Sequence, residues 1–164
     1  MEERMSTVII LMGSKSDAPF VGRITAALDE LGVAYERRVA SAHKSARYLL
    51  DLLAEYETAG QVGVYITVAG RSNALSGMVD ANVAAPVIAC PPYSDTFGGA
   101  DLFSSLRMPS GVAPAVVLDP AGAALLAAKI LAVGDASLRA RVTAAQRAQT
   151  DLVIAADVQV AEHE

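Results

Sequence analysis

The chain has 164 residues, 53% hydrophobic and only 19% charged, with a formal charge of −5. One domain of ordinary size fits that length, and a solvating disordered chain, a collagen-like repeat and a cysteine scaffold are all excluded. Net acidity also argues against a broad basic face for DNA or RNA, while leaving room for a small local phosphate site.

The chain opens MEERMSTVIILMGSKSD, in which charged residues precede a five-residue apolar run. That run is too short for a signal sequence or a membrane span, so a soluble cytoplasmic protein is expected. Residues 6–12 (STVIILM) read as a buried strand ending at Gly13. Residues 19–31 read as a helix with Val21, Ile24, Leu28 and Leu31 on one face, closed by Gly32. AYERRVA (34–40) follows as a second strand, and residues 45–58 as a helix with Leu49, Leu52, Leu53 and Tyr56 at helical spacing. VGVYITV (62–68) is the clearest strand and leads to Gly70. PVIAC (86–90) and PAVVL (114–118) supply two more, after which Pro120 opens a helix through Leu131.

This alternation predicts an α/β fold, a doubly wound parallel sheet with helices on both faces, making three layers. The whole chain, 1–164, reads as one catalytic domain with its core at about residues 6–133. An extra C-terminal helix spans about 136–156, with Leu138, Val142, Ala145, Gln149 and Leu152 in one stripe. Two placements stand level for it: packing across a neighbouring subunit, or capping its own domain. The composition, with 32 Ala, 18 Val and no Trp, favours close approach between elements and leaves apolar surface for subunit contacts. Cys90 is the single cysteine, which permits no intrachain disulfide and fits a reducing compartment.

Ligands of open parallel sheets collect at the carboxyl ends of strands. Three loops follow the first three strands: GSKSD (13–17), SAHK (41–44) and AGRSN (69–73). In the first, Gly13 permits a tight turn, and backbone N–H groups near a helix N-terminus offer an anion site. Ser16 or Asp17 is the expected N-cap, which leaves Ser14 spare for a ligand. Neither GxxxxGK[ST] nor GxGxxG is present, which weakens nucleotide readings. In the second loop His43 stands between Ser41 and Lys44. The other histidine, His163, sits in the terminal tail, where solvation is expected. One histidine and one strand thiol do not make a zinc site, so no metal is expected, and no GxSxG elbow supports a serine nucleophile. A single imidazole moving one proton is the natural remaining chemistry. In the third loop Arg71, Ser72 and Asn73 offer donors to a carboxylate or carbonyl, and Gly70 allows close backbone approach.

Taken together, MGSKSD (12–17), SAHK (41–44), PVIACPP (86–92), SLRMPSG (105–111) and RAQTD (147–151) resemble the PurE family of purine biosynthesis, across residues 8–152. The resemblance implies a flavodoxin-like sheet, a homo-octamer with sites near subunit contacts, no cofactor and a phosphoribosyl aminoimidazole substrate. Its mutase class carries an arginine followed by Thr-Pro after the second strand, and a second histidine after the third. This chain has Lys44, Ser45-Ala46 and a histidine-free AGRSNALSGM (69–78). It is therefore more similar to the class that takes 5-aminoimidazole ribonucleotide (AIR) and carbon dioxide directly to the 4-carboxy product (CAIR).

By the same resemblance Ser14 and Asp17 match residues that bind the 5′-phosphate and ribose, Asp17 suiting the ribose because its charge repels phosphate. Ser41 matches a substrate-loop residue, and Lys44 replaces a phosphate-contacting arginine as a point charge. His43 matches the acid/base histidine. Gly70 and Ser72 match the loop over the imidazole and its new carboxylate, with Arg71 and Asn73 in the part that differs between classes. A reading from another class, a non-catalytic flavodoxin-like module for FMN or a phosphoribosyl ligand, is disfavoured by only eight aromatic residues.

Overall fold

In the computed structural model, which describes residues 7–161, five parallel strands form one sheet in the order β2-β1-β3-β4-β5. His163 and the first residue of the predicted opening strand, Ser6, lie outside the described residues. β1 (Thr7–Met12) pairs with β2 (Tyr35–Val39) on one side and β3 (Val62–Val68) on the other; β4 (Val87–Ala89) and β5 (Ala115–Val116) complete the sheet. The winding direction reverses at β1, so a crevice is expected between the carboxyl ends of β1 and β3.

Successive side chains of a strand point to opposite faces, and β1 feeds both layers. Val8, Ile10 and Met12 enter the core beneath α1 (Ala18–Glu30) and α5 (Pro120–Leu131). Ile9 and Leu11 enter the core beneath α2 (Ala46–Ala59) and α3 (Ala74–Asp80). Buried alanines cluster on α5, where Ala123, Ala124, Ala127 and Ala128 are fully buried in one cluster with Val21, Ile24 and Leu28 of α1. Methyl-sized side chains let the two helices approach closely without aromatic filler. Gly32 and Gly60 end α1 and α2 in the left-handed region, at φ of 64° and 63°, where a Cβ would clash with the following carbonyl.

Cys90 is buried at the end of β4, and burial, with the charge of Asp119 adding to it, pushes its thiol up to about 12. It is an inert core residue at neutral pH. Between β4 and β5 the chain forms 3-10 turns at Asp95–Phe97 and Ala100–Leu102 and a short helix, α4 (Phe103–Leu106).

The last helix, α6, runs Ala136–Ala161, five residues beyond its expected end. Its stripe divides. Leu138 and Val142 are buried against the domain, and Arg141 Nε donates to Leu31 O at 2.9 Å. From Ala145 onward the stripe is exposed, with Leu152 and Ile154 more than half accessible. The first turns cap their own domain, and the remainder extends beyond it. None of the helices is long and apolar enough to cross a membrane among the described residues.

Candidate active site

A cleft of about 430 Å³ opens at the switch point between β1 and β3. Three loops build its floor and sides: Gly13, Ser14, Ser16 and Asp17 after β1; Ser41, His43 and Lys44 after β2; Gly70, Arg71 and Ser72 after β3. Eight of the nine expected site residues thus share one cavity. A fourth wall comes from Pro92, Tyr93 and Ser94 after β4. PVIACPP marks that stretch as familial, but nothing in its own residues assigns it to a ligand site.

The first loop is more self-contained than its residues suggest. Asp17 is the N-cap of α1, as expected, but the side-chain cap lies one turn earlier at Ser14: Ser16 N donates to its Oγ at 3.2 Å, and Ser14 N donates back to Asp17 Oδ2 at 3.1 Å. Ser14 is therefore not spare. This reciprocal capping box starts a 3-10 turn, Lys15–Asp17, that leads into α1. Gly13 N donates to Val68 O, and Asp17 N to Ser14 O. The backbone N–H groups of residues 13, 14, 16 and 17 are thus already satisfied, which corrects the expected backbone anion cradle. Anion recognition passes to the hydroxyls, since a serine that accepts one hydrogen bond still has a proton to donate.

The second loop repeats that logic. Lys44 N donates to Ser41 Oγ at 3.2 Å, and Ser41 N donates to Ser45 Oγ at 2.9 Å. The turn is fixed by its own serines, while the His43 and Lys44 side chains stand exposed at the rim.

Arg71 is the only described non-glycine residue at positive φ, 60°, a conformation costing about 1–2 kcal/mol for an L-residue. Both of its backbone polar groups are held by the segment before β5. Arg71 N donates to Asp101 Oδ2 at 3.0 Å, and Ser104 Oγ donates to Arg71 O at 3.2 Å. Sequence reading misses Asp101 and Ser104, because a side-chain bond to backbone thirty residues away leaves no local pattern.

Asn73 does not join the cleft. It is buried as the N-cap of α3, with its Oδ1 accepting from Ser76 N at 3.2 Å and Ser76 Oγ at 2.9 Å. Its Nδ2 donates to Ser105 Oγ at 2.9 Å. The amide expected to face a substrate carboxylate anchors the third loop instead.

Burial raises the Asp17 carboxyl above its ordinary range, partly offset by the hydrogen bond from Ser14 N. Hydroxyl donors bind best to the ionised form, which is lost as pH falls through that raised value. The KM for a ligand that donates to this carboxylate should accordingly begin to rise at a higher pH than an ordinary aspartate would dictate. Asp17→Asn should flatten this limb of the KM–pH profile while raising KM at neutral pH. An unchanged profile in the variant would remove Asp17 from ligand contact.

The model of the family described as AIR carboxylase matches residues 7–151. A phosphoribosylaminoimidazole carboxylase of Archaeoglobus fulgidus is 51% identical over 149 residues, covering 91% of this chain and 82% of that protein. The protein of the same name from Treponema denticola is 55% identical over 128 residues, covering 78% of this chain and 80% of that protein. The crystal structure of Treponema denticola PurE aligns with a TM-score of 0.92 at 47% identity, over 94% of this chain and 98% of that one.

Proposed function

The chain belongs to the AIR carboxylase family of purine biosynthesis, and from this we propose that it joins carbon dioxide directly to AIR to give CAIR, with His43 moving the proton. The observation that carries the reading is the composition of the cleft. His43, Lys44 and five serines surround one cavity, and the loop after β3 brings no second histidine to it. Ser14, Ser41 and Lys44 bind the phosphate, and Asp17 accepts from the ribose hydroxyls.

AIR is an enamine-like ring, so the carbon beside its amine-bearing carbon is already nucleophilic. Held against carbon dioxide in a near-attack pose it needs neither biotin nor a metal. The new C–C bond leaves a tetrahedral ring carbon carrying both hydrogen and carboxylate. Removal of that proton by His43 as general base restores aromaticity. Ser72 donates to the developing carboxylate, and the backbone at Gly70 lets the ring lie close to the loop.

Two further features belong to this reading. The exposed outer half of α6, with Leu152, Val153 and Ile154, packs on a neighbouring subunit, in a homo-octamer as the family resemblance implies. An unpaired, buried Cys90 is compatible with a cytoplasmic enzyme.

Absorbance assays with two substrates supplied separately test the class. Turnover is expected with AIR and carbon dioxide. Turnover solely of N-carboxyaminoimidazole ribonucleotide, with its spontaneous breakdown controlled, would make the protein a mutase.

A further inference from the structure

The loop after β3 is held from outside the cleft. Gly98 and Gly99, both left-handed at φ of 57° and 80°, turn the chain between two 3-10 turns, and residues 101–105 then bond to residues 71–73. Asp101 Oδ2 accepts from Arg71 N at 3.0 Å. Ser104 Oγ accepts from Asn73 N at 2.9 Å, and its proton is shared between Arg71 O at 3.2 Å and Asp101 O at 2.7 Å. Neither Asp101 nor Ser104 lines the cleft. On the other side of the loop a Cβ at Gly70 would stand 3.4 Å from Pro92 Cγ, so the backbone has little room to retreat there.

We propose that Asp101 is a positioning residue for the reaction: with Ser104 it holds Arg71 in the left-handed region, and that conformation sets Ser72 and the Gly70 backbone against the developing carboxylate. The inference rests on the role given to Ser72 above. An L-residue at φ of 60° returns to the favoured side of φ unless its surroundings hold it there. Asp101 supplies that hold by taking the backbone N–H of Arg71. Without the acceptor, φ at residue 71 relaxes and rotates the chain on either side, so Gly70 and Ser72 no longer face one point. A contact that strengthens as the carboxylate forms acts on kcat. The proposed phosphate contacts lie on the other two loops, so loss of the hold falls more on kcat than on the KM for AIR.

A double-mutant cycle tests this. Asp101 is partly exposed, so Asp101→Ala is expected to fold, and it should lower kcat about tenfold with a smaller rise in the KM for AIR. Asp101→Asn keeps an acceptor oxygen and should stay near wild type. Glycine adopts positive φ without strain, so in an Arg71→Gly background, taken as its own reference, Asp101→Ala should cost less than about threefold. Equal losses in the two backgrounds would overturn the inference, as would an Asp101→Asn variant as slow as Asp101→Ala. A lower urea midpoint with kcat unchanged would make Asp101 a brace for the fold alone and overturn it too. The ratios are taken with whichever substrate the wild type turns over. A wild type that uses only the N-carboxylated substrate would therefore overturn the carboxylase reading and leave this comparison to be decided separately.

Discussion

Replacing His43 with asparagine is expected to lower kcat by about 10²–10⁴-fold, the usual worth of a positioned general acid or base. Asparagine retains polarity and approximate size but cannot take the ring proton. Because His43 stands exposed on a turn held by Ser41 and Ser45, the substitution should leave the fold and the unfolding midpoint unchanged. The proposed phosphate contacts come from other side chains, so the KM for AIR should move little. Steady-state kinetics beside a urea titration separate these effects. Near-normal turnover would take His43 out of the proton transfer, and a large loss of stability would make it a structural residue.

Asn73→Ala should cost about 2–4 kcal/mol, combining a lost N-cap with buried hydroxyls left without their partner. The side-chain amide joins two serines, accepting from Ser76 and donating to Ser105, while the backbone N–H, which alanine keeps, donates to Ser104. Ser76 Oγ in turn lies 2.7 Å from Thr67 Oγ1 on β3. Removing the amide therefore loosens α3, the 69–73 loop and the segment before β5 at once. Urea denaturation should show a lower midpoint at unchanged slope. The KM for AIR should also rise, because Ser72 and Arg71 hang from this anchor. A midpoint close to wild type would show that water satisfies the network in place of Asn73.

The two cases mark what the residues disclose and what they hide. α5 falls at Pro120–Leu131 as expected, because Asp119 caps it through a hydrogen bond from Gly122 N and proline suits its first turn. β5 shrinks from five expected residues to Ala115–Val116, since an edge strand pairs on one side only and β4 beside it is short. The segment of 3-10 turns with Gly98 and Gly99 has no hydrophobic period to read. At the site, short loops after strong strands bring their residues together wherever the sheet places them, which is why Ser14, Asp17, Ser41, His43, Lys44, Gly70, Arg71 and Ser72 meet. Asn73 is one residue further along and is captured by its helix, as asparagine at a helix start commonly is. Polarity alone does not distinguish a side chain that meets a ligand from one that closes a helix end.

The capping box at Ser14 and Asp17 has a thermodynamic consequence for association. A glycine-serine loop that orders only around its ligand would lose about 1–2 kcal/mol of backbone freedom per residue on binding. Here the loop is already closed by its own hydrogen bonds. Little folding is then coupled to the encounter, so its heat-capacity change should reflect only the surface the ligand covers.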